Sequence, residues 1–206
     1  QFAAVNLVMP FLMMMSVIGF MFGTGGNAIV SKLLGEGKNK KANEVFSMLV
    51  YITITVGIVI FVAAEIAMPQ IAKLLGADKN MLEYCVLYGR IISISVTPFM
   101  LQVFFQSFMP TAGKPHIGLA VTIIAGVTNI ILDFLFVGVF KWGIVGAAAA
   151  TVTGESIGGI VPLVYFISKN SSSLRLCKTK FDGKILLKTC PNGSSELMTN
   201  LSANIV

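Results

Sequence analysis

IGLAVTIIAGVTNIILDFLFVGVF, residues 117–140, decides how this chain folds. A helix needs about 20 apolar residues to cross a bilayer, and this run supplies them with one ionisable side chain, Asp133. An ionised carboxylate inside a span costs about 2.5–3.5 kcal/mol on insertion scales. A chain that tolerates such a residue generally uses it. Asn129 stands four residues earlier, so both side chains project from one helical face. The pair reads as the start of an ion site.

The composition around it agrees. Of 206 residues, 55% are hydrophobic and 12% charged, with a mean hydropathy of +0.85. A soluble domain carries about 25% charged residues. The expected fold is an all-α polytopic membrane helix bundle. Five complete spans are drawn at 4–31, 44–68, 84–109, 116–139 and 144–168, with a sixth starting near Asn192 and cut off at Val206. The chain is therefore expected to be incomplete. Its apolar N-terminus reads as the edge of a span rather than a cleavable secretory signal.

The net charge of +6 falls mostly in loops, which argues against a nucleic-acid partner. The first, third and fifth loops hold eleven positive residues, against three in the second and fourth, or four with Arg90. The odd-numbered loops are thus expected in the cytoplasm. The second loop, MPQIAKLLGADKNMLEYC, spaces Ile71, Leu74 and Leu75 as a short interfacial helix would. The fifth, with Ser171, Ser172 and Ser173, suits a flexible connection between two halves. The expected organisation is a transmembrane bundle over 1–168, a cytoplasmic linker over 169–190 and the start of a second lobe over 191–206. Cys85, Cys177 and Cys190 have no metal-ligand spacing and read as free thiols. His116, beside Lys114 and Pro115, reads as solvated.

Gly19 and Gly23, and Gly154 and Gly158, form GxxxG pairs that let membrane helices approach closely. GTGGN (23–27) lacks the preceding strand of a phosphate loop. Pro10, Pro98 and Pro162 invite kinks within spans, and Pro98 is a candidate hinge. Glu65 falls near an outer helix end, where it can reach headgroups. No nucleophile–base pair or metal cluster points to an enzyme.

Depth arithmetic assembles a site. The fourth and fifth spans form a hairpin. At 1.5 Å per residue, Asp133 lies ~9 Å, Asn129 ~15 Å and Thr151 ~10 Å below the outer surface. Carboxylate, amide and hydroxyl oxygens are the hard ligands that a cation wants, and a buried carboxylate can also take a proton. A satisfied structural hydrogen-bond network is the alternative. Glu155, ~16 Å into the fifth span, is a possible additional proton or substrate site, and Glu196 is another.

Three stretches carry a resemblance: GTGGNAIVSKLLGEGKNKKANEVFS (23–47), the run from Met109 through TAGKP, and NIILD (129–133) followed by WGIVGAAAATV (142–152). In order and spacing they resemble the multidrug and toxic compound extrusion (MATE) transporters. The resemblance implies two six-helix lobes, with this chain holding helices two to six and the start of helix seven. It implies a cation-coupled antiporter, driven by H+ or Na+, that exports organic and often cationic compounds across the plasma membrane of a prokaryote. Its partners would be a small organic substrate, membrane lipid and the second lobe, with no cofactor beyond the coupling ion. Asp133, Asn129 and Thr151 match the family's cation site, whose helix-one aspartate is absent because helix one is absent. Glu196 lies near a helix-seven carboxylate of some members. A lipid-linked sugar flippase of the same superfamily is an alternative, although only Arg90 enters a span. A non-transporting truncated remnant is another.

Overall fold

The structure is a computed structural model that describes residues 2–74, 79–191 and 193–194, with side chains described from Val17 onward apart from 79 and 80. Its helices are α1 (Phe2–Gly35), α2 (Asn39–Leu74), α3 (Lys79–Ser93), α4 (Val96–Thr111), α5 (Pro115–Asp133) and α6 (Gly143–Ile167), and α5 runs on through a π-helical segment, Phe134–Val139. Residues 168–182 are irregular, and 183–191 are helical again. The all-α membrane bundle and its five spans are therefore present. Among the described residues, four helices are long and apolar enough to cross a membrane, and α3 with α4 makes a fifth, bent by 47°. Glu196 and the expected sixth span lie outside the described residues.

The bend has a local cause. Pro98 has no N–H to offer the carbonyl of Ile94, four residues back, and the helix breaks at Ile94–Ser95. Turns on the basic face are closed by glycine. Gly37 and Gly113 adopt φ of 72° and 74°, where a side chain would be strained. Each ends its helix with paired backbone bonds, Lys38 N to Leu33 O (2.9 Å) and Lys114 N to Met109 O (2.9 Å) among them. GTGGN is a continuous part of α1, not a loop.

Two expectations about the loops fail. The predicted interfacial helix is no separate element, because α2 continues through Pro69 to Leu74, with Met68 and Ala72 fully buried. Nor is the serine run a loose tether. The Ser172 hydroxyl donates to the Leu174 carbonyl (2.6 Å) and its backbone N to Asn170 Oδ1 (3.0 Å), and Leu174 is buried. Arg175 N donates to Asn43 Oδ1 (2.9 Å) and Cys177 N to Ser47 Oγ (2.9 Å), which fastens this segment across the start of α2.

Small residues set the helix separations. A Cβ on Gly19 would stand 2.9 Å from the Met100 Cα, and one on Gly57 2.9 Å from the Thr97 methyl. In lipid, helix association rests on such close packing rather than on hydrophobic exclusion. Toward the basic face, Phe46, Phe104, Phe105, Phe108 and Phe166 form the core, with Phe46–Phe166 centroids 4.9 Å apart and Phe104–Phe108 4.5 Å. Toward the opposite face, the core is Ala72, Cys85, Tyr88, Ile92, Met100, Ile144 and Ala148. Helix α5 is peripheral: Leu119, Ile123, Ile130 and Phe134 are exposed, and only Val121 and Ala125 are buried.

Candidate functional site

The α5–α6 hairpin positions the three predicted residues. Its turn is tight, with Lys141 and Gly143 both at positive φ (56° and 60°). Phe136, Phe140 and Trp142 stack around it, with Phe136–Trp142 centroids 4.9 Å apart, as aromatic residues do at a membrane boundary. Two glycines of α6 then fix the pairing. A Cβ on Gly146 would stand 2.9 Å from the Phe136 Cβ, and one on Gly154 2.9 Å from the Asn129 Cβ.

These two contacts set the levels of everything between them. Asp133 lies between Asn129 and Phe136 on α5, and Thr151 lies between Gly146 and Gly154 on α6. The hairpin is antiparallel, so Asp133 and Thr151 stand opposite one another, ~9–12 Å from its turn. Asn129 is held against α6, with its Nδ2 buried and without a hydrogen-bond partner. Asp133 stands one helical turn on, on the same side of the helix. Thr151 spends its proton on the Ala147 carbonyl (3.1 Å), which leaves its oxygen free to accept or coordinate. No hydrogen bond between described residues joins the three. Asp133 and Thr151 lie at neighbouring levels and Asn129 about one turn deeper, without forming a closed network.

Asp133 is the last α-helical residue of its span and is partly buried. The π-helical turn that follows widens the backbone beside it, a distortion found often at functional sites. Glu155 is also partly buried, on α6 one residue past Gly154, and its neighbour at the α3–α4 break is Ser95, whose hydroxyl donates to the Ile92 carbonyl (2.8 Å). Tyr88, 1% exposed on α3, lies within Coulombic reach of both Glu155 and Asp133. Sequence reasoning missed Tyr88, Ser95 and Gln102. A polar side chain inside each apolar run was the available signal.

Other polar residues are accounted for locally. Glu65 does not reach for headgroups: it accepts from Ser93 Oγ (2.6 Å) and lies 3.7 Å from Arg90 Nε, joining α2 to α3. His116 is exposed in the first turn of α5. The three cysteines are free. No cluster of metal-ligating side chains occurs among the described residues. A cavity of about 1160 Å³ opens on the basic face, lined by Lys41, Lys178, Lys180 and Lys184, far from the hairpin turn.

The MatE family model matches residues 1–135. The multidrug export protein MepA of Staphylococcus haemolyticus is 32% identical over 171 residues, covering 82% of this chain and 38% of that protein. MepA of Staphylococcus saprophyticus is 30% identical over 169 residues, covering 82% and 37%. The chain thus spans under two-fifths of the length of these relatives. A multidrug resistance MATE transporter in its inward-facing conformation superposes with a TM-score of 0.90 at 19% identity, over 98% of this chain and 47% of that one. Its outward-facing counterpart gives 0.88 at 19%, over 98% and 46%. At that identity the superpositions establish the fold alone, one lobe-sized bundle. With the family match over most of its length and the bundle of the same architecture, the chain belongs to the MatE family.

Proposed function

We propose that this chain forms part of a cation-coupled antiporter, in which Asp133, Asn129 and Thr151 hold the coupling ion, H+ or Na+, while a small organic compound moves outward across the plasma membrane. Residues 169–190 would connect the bundle to a second lobe that begins in 191–206. One observation carries the reading. In a MatE lobe, a carboxylate and a hydroxyl oxygen face one another across a glycine-locked hairpin, the hydroxyl spending its proton on its own helix, and neither oxygen accepts a hydrogen bond from a described residue. A membrane interior supplies no water to such groups, so an ion or proton is the partner they lack. The ion drives transport only if it holds the lobe differently in its two states.

The flippase reading needs several basic residues to hold a pyrophosphate. The one that enters a span, Arg90, lies beside Glu65 instead. The deciding experiment uses cells that express the full-length protein containing this chain, and inside-out vesicles made from them for the gradients. Asp133→Asn should abolish efflux of a cationic dye while leaving the protein in the membrane. Imposing a Na+ gradient or a pH gradient separately identifies the ion. Full efflux in Asp133→Asn would remove Asp133 from the mechanism.

A further inference from the structure

Polar groups continue below the hairpin site. Asp133 lies six residues before Val139, ~9 Å deep, and Glu155 twelve residues past Gly143, ~18 Å deep. Tyr88 is nine residues into α3, ~14 Å deep, buried at a level between those of the two carboxylates and near enough for both charges to act on it. Beyond it, Ser95 meets Glu155 where the third span breaks. Gln102 packs its amide against Gly158, one turn past Glu155 on α6. Helical side chains lean toward their own N-terminus, so Gln102 leans back toward the break. Its Oε1 is buried and receives no hydrogen bond.

We propose that Glu155, with the Ser95 hydroxyl and Gln102 Oε1, is a second and deeper station for the coupling cation, connected to Asp133 through Tyr88. The inference rests on the coupling role given above to Asp133. The ligand is a small monovalent cation, H+ or Na+. The groups facing it are oxygen acceptors, and α6 approaches α4 so closely at Gly158 and Gly159 that even an added Cβ meets Gln102 and the Pro98 carbonyl. An organic ammonium would not fit there. The other titratable groups near it are Tyr88 on α3 and Asp133 on α5. Helix α4 carries no ionisable side chain, and the Glu65–Arg90 pair joins α2 to α3.

A purely structural use of Glu155 has to be separated from this one. The break exposes the N-terminal N–H groups of α4, and Ser95 gives them no side-chain cap. A carboxylate there could serve as a cap. Glu155→Gln keeps an acceptor oxygen but loses the charge, so a cap survives the change and a cation station does not.

The test uses the full-length protein in liposomes. It reads Na+ or H+ bound per molecule, gradient-driven dye uptake and the unfolding temperature. Glu155→Gln is expected to lose one bound cation and slow coupled uptake at least about tenfold, with the unfolding temperature kept. Ser95→Ala should keep the stoichiometry and weaken the cation's half-saturation about tenfold, the worth of one hydrogen bond to a charged group. Wild-type stoichiometry in Glu155→Gln, with or without a lower unfolding temperature, overturns the proposal. If Glu155→Gln does not fold, unchanged half-saturation in both Ser95→Ala and Gln102→Leu overturns it equally. Loss of a cation in Glu155→Gln but none in Asp133→Asn would sink the Asp133 reading and leave Glu155 as a station. The reverse pattern sinks the deeper station alone.

Discussion

Replacing Gly154 with alanine tests whether the hairpin's spacing makes the site. The new Cβ would stand 2.9 Å from the Asn129 Cβ and 3.1 Å from the Ala125 carbonyl oxygen, both backbone-fixed positions. Ordinary contact begins at 3.4 Å, so α5 must retreat by 3.4 − 2.9 = 0.5 Å. Overpacking of this kind costs about 1–3 kcal/mol. Alanine also recovers about 0.8–1 kcal/mol of helix propensity, which offsets part of that. Net destabilisation is then about 0–2 kcal/mol, a fall in unfolding temperature of up to about 8 °C for a bundle of this size. Gly126 supplies the control: it lies on the same α5 with nothing within 4 Å of its Cβ position. Gly126→Ala should gain the propensity term alone and raise the unfolding temperature by about 2–4 °C. Function should separate the two variants more sharply, because about 0.5 Å is the tolerance of a coordinating constellation. The assay is the concentration of Na+ or H+ that half-saturates dye transport, beside thermal unfolding of the full-length protein. Gly154→Ala should need more ion and Gly126→Ala should not. Indistinguishable behaviour in both measurements would mean that α5 rests loosely on α6 and that Gly154 sets nothing.

Two further outcomes follow from the geometry. Pro98→Ala restores an N–H for the Ile94 carbonyl. The 47° bend between α3 and α4 should relax, read as a longer distance between spin labels near Lys79 and Thr111. An unchanged distance would place the cause of the bend elsewhere. On the basic face, Glu36 accepts from Lys38 Nζ (2.7 Å), and this bond holds its carboxyl below the usual value of 4.5. The contribution of the pair is present at neutral pH and is lost as the pH falls through that lowered value. Lys38→Met should therefore move the Glu36 titration upward, as followed by carboxyl NMR. A midpoint that stays put would rule out the pair as the cause.

What could be read in advance was whatever a single helix decides for itself. Hydrophobic length marked all five spans, and the short link before Gly143 implied the hairpin that brings Asp133 level with Thr151. The GxxxG pairs named glycines that do lie at contacts between helices, Gly19 on Met100 and Gly154 on Asn129. What failed depended on neighbours. The second span was drawn only to 68, but burial of Met68 and Ala72 carries α2 on to Leu74. Glu65 looked free to snorkel because its partners, Arg90 and Ser93, lie in another helix. Tyr88 gave no sign of being buried near two carboxylates on other helices, since sequence spacing relates residues on one helix and not across three. The serine run misled because composition reports solvation, whereas bonds to Asn43 and Ser47, some 130 positions away, decide its order.

That fastened segment bears on how a partner domain could move. A strap sewn along the rim of the bundle from Ser172 to Cys177 travels with it as one body. Swinging motion cannot be absorbed by the serines without tearing those stitches. In the two-lobe reading proposed above, any pivot toward a second lobe would sit downstream of Cys177, which would shorten the free leash and narrow the arc open to it.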